Sequence, residues 1–254
     1  MPRVSVIMSV YNEEHYVAGA IDSILGQTFG DFEFVIIDDG SVDRTPAILR
    51  GYQDPRLRIH HQTNQGQSVA LNRGIRSASG SYIARMDADD VALPYRLEKE
   101  VAFLDTHPEI GLVGTWCVKV DSRTGQERLQ SLPEKDAAIR RFMTIDNPFI
   151  HSSVMIRRRV LDSVGLYDEG LIWQDYELWV RIARYHQMAN ISEPLIIRRK
   201  HPESITGTAK ASRKSWERFR IQGKASRLLG PTGKGVVAMT RSLLKTAWCR
   251  MLGN

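Results

Sequence analysis

Residues 81–90 read Ser81-Tyr82-Ile83-Ala84-Arg85-Met86-Asp87-Ala88-Asp89-Asp90. Tyr82 to Met86 is an apolar run that leads straight into three carboxylates. A short apolar run closed by a turn signal reads as a buried β-strand. Asp87 and Asp89 alternate, so an extended backbone projects both from the same side. Carboxylates converging at a strand end repel each other unless a cation neutralises them. Hard divalent ions such as Mg²⁺ take one or two carboxylates together with the phosphates of a ligand. Taken alone, the stretch reads first as a solvated acidic turn ahead of the next helix, since Pro94 follows. The surrounding chain favours the metal-binding reading.

On the N-terminal side, strand-like and helix-like patterns alternate. Val4–Val10 is a β-branched run, and Glu13–Gln27 carries Val17, Ala20, Ile21, Ile24 and Leu25 at helical spacing. Phe32–Ile37 reads as a second buried strand, and 43–52 as a short helix with Asp43 as N-cap. Leu57–His61 is a third strand and Gln67–Ser77 a third helix. Repeated β-α order predicts an α/β fold with a mainly parallel sheet and helices on both faces. Ligands of such sheets bind at the carboxyl ends of the strands. Polar clusters fall at those four ends: Tyr11-Asn12-Glu13, Asp38-Asp39-Gly40-Ser41, Asn64-Gln65-Gly66-Gln67 and Asp87-Ala88-Asp89-Asp90. Each is an ordinary turn by itself. Together they suit a nucleotide, through ring stacking, base or ribose hydrogen bonds, and phosphate held by a metal.

Beyond Asp90, Leu93–Leu104 reads as an amphipathic helix, Ile110–Val120 as a strand and 134–145 as a helix. In Trp173-Gln174-Asp175-Tyr176-Glu177-Leu178, the residues Leu178, Ile182 and Tyr185 give a helix an apolar face. Asp175 lies in its first turn, where a carboxylate complements the helix dipole. The 254 residues suffice for one large domain or for a domain with an appendage. No apolar run reaches the roughly 18 residues of a membrane span. Met1-Pro2-Arg3 does not open a signal peptide, and Cys117 and Cys249 do not form a disulfide framework. A cytoplasmic protein is expected.

The net charge of +6 is unevenly placed. Residues 209–254 hold 11 Lys and Arg against Glu217 alone; from totals of 35 and 29, that leaves 24 bases and 28 acids in 1–208, a net of −4. The split marks a boundary near Thr208 and argues against nucleic acid as the main domain's partner.

Three stretches carry a family resemblance: Val4 to Glu14, Ile37 to Thr45 and Met86 to Asp90. With Asn64-Gln65-Gly66 and Ala70-Leu71-Asn72-Arg73-Gly74, they resemble family-2 glycosyltransferases of the GT-A fold. The resemblance covers about the first 200 residues. It implies a Rossmann-like sheet whose residues 1–92 bind a nucleotide-sugar donor, most often a UDP-sugar, and whose residues 93–208 bind the acceptor. It implies Mn²⁺ or Mg²⁺ at Asp87 and Asp89, with Tyr11 against the base, Asp39 contacting the base, and Glu13, Asp38 and Arg73 as further donor contacts. His151, in Asn147-Pro148-Phe149-Ile150-His151, resembles a residue lining the floor of the family's site. The family's usual Glu-Asp pair stands here as Gln174-Asp175, so Asp175 is the implied catalytic base. Arg199-Lys200-His201 resembles a loop that closes over the diphosphate with its His on the metal; as bare sequence it reads equally as a basic surface loop.

Transfer would then be inverting, to a saccharide or lipid-linked saccharide. A nucleotidyltransferase is the competing enzyme class, but it wants a Gly-rich basic loop after the first strand, where this chain has Tyr11-Asn12-Glu13-Glu14. A non-catalytic nucleotide-sugar-binding domain is the other alternative, raised by Gln174. Residues 209–254 read as a basic helical C-terminal tail. In Gly235–Leu252, Val236, Leu243, Leu244, Ala247 and Met251 share one side, with Arg241 and Lys245 off it. Such a helix either packs on the main domain or lies in an anionic membrane surface, which would make the protein peripheral at the inner face of the cytoplasmic membrane.

Overall fold

A computed structural model describes residues 1–200 and 211–251. Its first half runs β1 (Val4–Val10), α1 (Val17–Leu25), β2 (Phe32–Asp38), α2 (Thr45–Arg50), β3 (Leu57–His61), α3 (Gln67–Ser77) and β4 (Tyr82–Asp87). A short β5 (Val91–Ala92) leads to α4 (Arg96–Thr106), β6 (Ile110–Asp121), β7 (Glu127–Gln130) and α5 (Asp136–Met143). Then come β8 (Met155–Arg157), α6 (Arg158–Val164), α7 (Gln174–Ile182), β9 (Gln187–Lys200), α8 (Ala211–Leu229) and α9 (Gly233–Met251).

The described strands form a nine-stranded sheet in the order β3-β2-β1-β4-β8-β6-β9-β5, with β7 paired to β6 off that path. β3, β2, β1 and β4 run parallel, and β8 enters antiparallel between β4 and β6. From β1 the chain steps outward to β2 and β3, then returns to lay β4 on the other side of β1. Order reverses there, so a crevice opens beyond the carboxyl ends of β1 and β4.

β1 and β2 are buried at every position, as strands covered on both faces must be. Alternation sends Val6 and Met8 into one core with Phe34, Ile36 and Ile21 of α1. It sends Ile7, Val35 and Ile37 into the other, with Leu71 of α3 and Trp179 of α7. A Cβ at Gly74 would sit 2.7 Å from Cγ2 of Ile7, so the absence of a side chain lets α3 lie close on β1.

Several boundaries differ from the sequence reading for local reasons. α1 starts at Val17, because the backbone N–H groups of Glu13 and Glu14 donate to Thr45 Oγ1 and Asp43 Oδ2 and hold 13–16 in a turn. Asp43 still accepts from the Thr45 N–H at 2.9 Å, although Arg44 occupies the cap position. α4 starts at Arg96, since Val91 and Ala92 pair with Ile197 and Ile196 of β9. Tyr185 lies beyond α7 and is 64% exposed, so it does not extend that helix's apolar face. Arg199 and Lys200, expected in a loop, end β9. His201, and the boundary expected near Thr208, lie outside the described residues.

The two C-terminal helices behave differently. α8 places Ile221 and Ala225 in the core and bonds Glu217 Oε2 to the Ile172 N–H at 2.7 Å. α9 turns its small and polar residues Ser242, Thr246 and Cys249 inward, and Ser242 Oγ donates to Gln222 Oε1 of α8 at 3.1 Å. Among its large apolar residues, Val236, Val237, Leu244, Trp248 and Met251 are more than half exposed. No described helix is long and apolar enough to cross a membrane.

Candidate active site

Sheet register gathers the expected donor-site residues. Val10 pairs with Asp38, Ser9 with Asp87, and Asp38 with His61. Tyr11, Asp39 and Asp87 therefore leave three neighbouring strands at one edge. Tyr11 is 45% exposed, where its strand ends at the crevice. Asn12 takes φ +55°, a left-handed conformation that Asn tolerates. There its Oδ1 accepts from the Val42 N–H at 2.9 Å, while its own N–H donates to Ser41 Oγ at 3.0 Å. These bonds clasp the β1 and β2 loops together, and Glu13 stands partly buried beside the clasp.

Asp38 and Asp39 are buried and hold loops. Asp38 accepts from the Ser41 N–H and meets His61 Nδ1 at 2.9 Å. Asp39 accepts from Gln62 Nε2 at 2.7 Å, the Gln65 N–H at 2.9 Å and the Gly66 N–H at 2.8 Å. A carboxylate has about four lone-pair sites, so Asp39 keeps one for a ligand. Arg73 is exposed, and its Nη1 donates to His61 O and Gln62 Oε1, bracing the same loop.

At the end of β4, ligand oxygens of Asp87, Asp89 and Asp90 lie within 4.8 Å of one another. Asp90 is the inner member: it is 1% exposed and accepts from Ser152 Oγ and, at 2.9 Å, from the Arg199 N–H. Burial and the charges of Asp89 and Asp87 push it well above the ordinary carboxylate range. Asp87 and Asp89 are partly open to the crevice. Burial raises the Asp87 carboxyl, but Arg85 and Arg198 nearby outweigh that and hold it below its usual value. Arg85 Nη2 donates to Asp87 Oδ1 at 2.6 Å, while its buried Nε and Nη1 have no partner. An all-oxygen, carboxylate-rich set fits Mg²⁺ or Mn²⁺, and Asp87 and Asp89 are the residues placed to hold it.

The first turn of α7 forms the facing side. Asn147 Nδ2 donates to Asp175 Oδ2 at 2.6 Å. Burial raises the Asp175 carboxyl and the charge of Asp87 adds to the effect, whereas the bonds from the Tyr176 backbone and Asn147 restrain it. Gln174 is buried, and its side-chain amide meets that of Gln67 at 2.9 Å, joining the starts of α7 and α3. Glu177 is bound to Arg181 at 2.7 Å and Lys224 at 2.5 Å, so it is not available as a base. His151 meets Tyr167 Oη at 2.9 Å. Burial, then the Arg85 charge, lower its pKa to about 3, so it is a neutral wall.

Sequence reasoning missed Arg85, Asn147, Ser152 and Arg198. Arg85 had a visible signal, a charge inside an apolar strand. Asn147 and Ser152 reach the site by hydrogen bonds to Asp175 and Asp90, partners 28 and 62 residues away in sequence, and Arg198 by its charge.

The glycosyl transferase family 2 model matches residues 5–165. The chain is 31% identical over 230 residues to the amylovoran biosynthesis glycosyltransferase AmsE of Erwinia amylovora, covering 88% of this chain and 84% of that protein. It is 33% identical to the O-antigen biosynthesis glycosyltransferase WbnJ of Escherichia coli, covering 83% and 85%. Among solved structures, S. aureus TarS 1–349 in complex with UDP-GlcNAc superposes with a TM-score of 0.75 at 21% identity, over 97% of this chain and 71% of that one. The mannosyltransferase PcManGT from Pyrobaculum calidifontis, in complex with GDP-Man and Mn²⁺, superposes with a TM-score of 0.69 at 23% identity, over 98% and 74%. These two likenesses establish the shared fold.

Proposed function

This chain belongs to glycosyl transferase family 2 and has the GT-A fold, and from that membership we propose an inverting transfer from a UDP-sugar to an acceptor hydroxyl, with Asp175 as the base. One observation carries the proposal: carboxylate oxygens of Asp87, Asp89 and Asp90 converge within 4.8 Å at the carboxyl end of β4, where the strand order reverses and sheets of this kind bind their ligands. Tyr11 receives the uracil face, and Asp39 offers its remaining lone pair to the nucleoside. A divalent cation at Asp87 and Asp89 would neutralise charge on the leaving diphosphate. Arg198, whose charge reaches both Asp87 and Asp175, adds a fixed cation from the protein itself. Asp175 accepts the hydroxyl proton as the acceptor oxygen bonds to the anomeric carbon and the bond to the diphosphate breaks. Attack from the face opposite the leaving group inverts that carbon.

Asn147 fixes which carboxylate oxygen faces the acceptor, since Oδ2 is already bonded. Gln174, engaged with Gln67, is a positioning contact and does not stand against catalysis. A growing glycan or lipid-linked saccharide is the proposed acceptor, supported by the amylovoran and O-antigen names of similar proteins. The exposed apolar face of α9 supports peripheral attachment to an anionic membrane.

The test is nucleotide-sugar turnover by full-length protein with Mn²⁺, alongside thermal shift by UDP. UDP with Mn²⁺ should raise the melting temperature by mass action. Chelator should abolish turnover, and Asp89→Asn should resist rescue by excess Mn²⁺. An Asp89→Asn protein fully active in chelator would remove the metal from the proposal.

A further inference from the structure

A cavity of about 780 Å³ lies between α8, α9 and the segment leading into α7. Its lining carries five cations, Lys214, Arg218, Lys234, Arg241 and Lys245, and among the described residues no carboxylate lines it. Two other cations of α8 are matched by carboxylates, Arg213 by Glu217 of the same helix and Lys224 by Glu177 of α7. Of the five, Arg218 pairs with Asp146 at 2.8 Å and keeps a buried Nε without a partner. Among the described residues, no carboxylate pairs with Lys234, Arg241 or Lys245. Like charges around one concavity focus a positive field into it. A polyanion entering there relieves their repulsion and meets forked and pointed donors together.

The position of the cavity narrows the ligand. Its inner wall includes Ile145 and Trp173, each two residues from one member of the bonded Asn147–Asp175 pair. Its outer wall includes Val237, which is 52% exposed and begins the apolar surface that Leu244 and Trp248 continue. The cavity thus lies beside the two segments that carry the Asn147–Asp175 pair and beside a surface suited to hydrocarbon. A single phosphate would fill little of the volume, whereas a diphosphate with the first sugar attached matches ordinary ligand cavities of roughly 300–1,000 Å³.

We propose that this cavity binds the diphosphate of a lipid-linked acceptor. The lipid chain leaves along the exposed face of α9, and the sugar hydroxyl points to Asp175. The assignment rests on Asp175 being the base, as proposed above. It makes α8 and α9 part of the acceptor site as well as a route to the membrane.

The experiment uses full-length protein and neutral phosphatidylcholine vesicles carrying a few mole per cent of a polyisoprenyl diphosphate. Control vesicles carry phosphatidylglycerol at equal charge, and soluble pyrophosphate serves as competitor. Co-sedimentation should be at least tenfold stronger with the diphosphate lipid than with the control, and pyrophosphate should reduce it. The variant Lys234→Ala/Arg241→Ala/Lys245→Ala alters three exposed side chains and should lose that preference while keeping the thermal shift by UDP and Mg²⁺. Equal binding to both vesicle types would overturn the site in favour of a general anionic surface. A variant that retains the preference would overturn it too. Failure of the donor reading appears separately, as absence of the UDP shift in wild type.

Discussion

Half-buried Asp175 and fully buried Glu100 are both carboxyls lifted above their usual range, and their neighbours give the two shifts different consequences. Asp175 faces a crevice and keeps an oxygen for a ligand, so its raised affinity for a proton suits a base. Asp175→Asn should lower turnover by about 10²-fold or more while leaving the UDP thermal shift intact. Unchanged turnover would move the base elsewhere. Glu100 is fully buried beside Arg96, 3.2 Å from its Nε, with Oε2 unpartnered. Burial lifts it from 4.5 to about 7 against the opposing charge of Arg96. Between those pH values the folded state holds a proton that the unfolded chain has released, so stability falls as pH climbs through the window. Glu100→Gln cannot titrate, and its denaturation midpoint should decline less than that of wild type between pH 5 and pH 8. Parallel declines would show that Glu100 is ionised throughout. Asp87 and Asp89 stood out in the sequence as a carboxylate cluster at a strand end, whereas Asp175 was marked only by the family resemblance, since a carboxylate in the first turn of a helix is ordinary. Asn147 was not legible, since it meets Asp175 across 28 residues. Arg198 was hidden because its whole strand was unread.

Strands β1, β2 and β4 were readable because burial on both faces leaves nearly unbroken apolar runs. β9 was not. Ser192-Glu193-Pro194 interrupts it, and its register against β6 shifts beside Pro194. β7 offers no apolar signal at all, being mostly exposed. The start of α4 moved because Leu93, expected to open it, gives its N–H to Leu195 O of β9 at 2.9 Å. Helix-to-sheet distance was equally invisible, and Gly74 now shows where it is set. Gly74→Val should push against Ile7 and destabilise the fold by about 1–3 kcal/mol in chemical denaturation. A wild-type midpoint would mean that α3 can shift away freely.

At the scale of the molecule, the two described helices of the basic C-terminal segment are seated differently. α8 belongs to the body, with Ile221 and Ala225 in the core and Lys224 paired to Glu177. α9 rests on α8 by its small side and leaves its apolar side outward. A chain ended at Gly230 should therefore stay folded and bind UDP, yet fail to co-sediment with anionic vesicles. A chain ended at Lys200 should lose its cooperative melt. Full-length binding to such vesicles should weaken as salt rises, because part of the attraction is screened. Retention of vesicle binding by the Gly230 truncation would place membrane attachment outside α9. The seating of β1 has a further consequence. Every β1 residue is buried and the strand is bonded on both edges, to β2 and to β4. Its amides can meet solvent only when the domain opens as a unit, so deuterium uptake there should track global unfolding. The loops at its carboxyl end should label early and slow down when nucleotide is added. The crevice would then be a fast-breathing mouth mounted on a floor that stays still for the lifetime of the folded molecule.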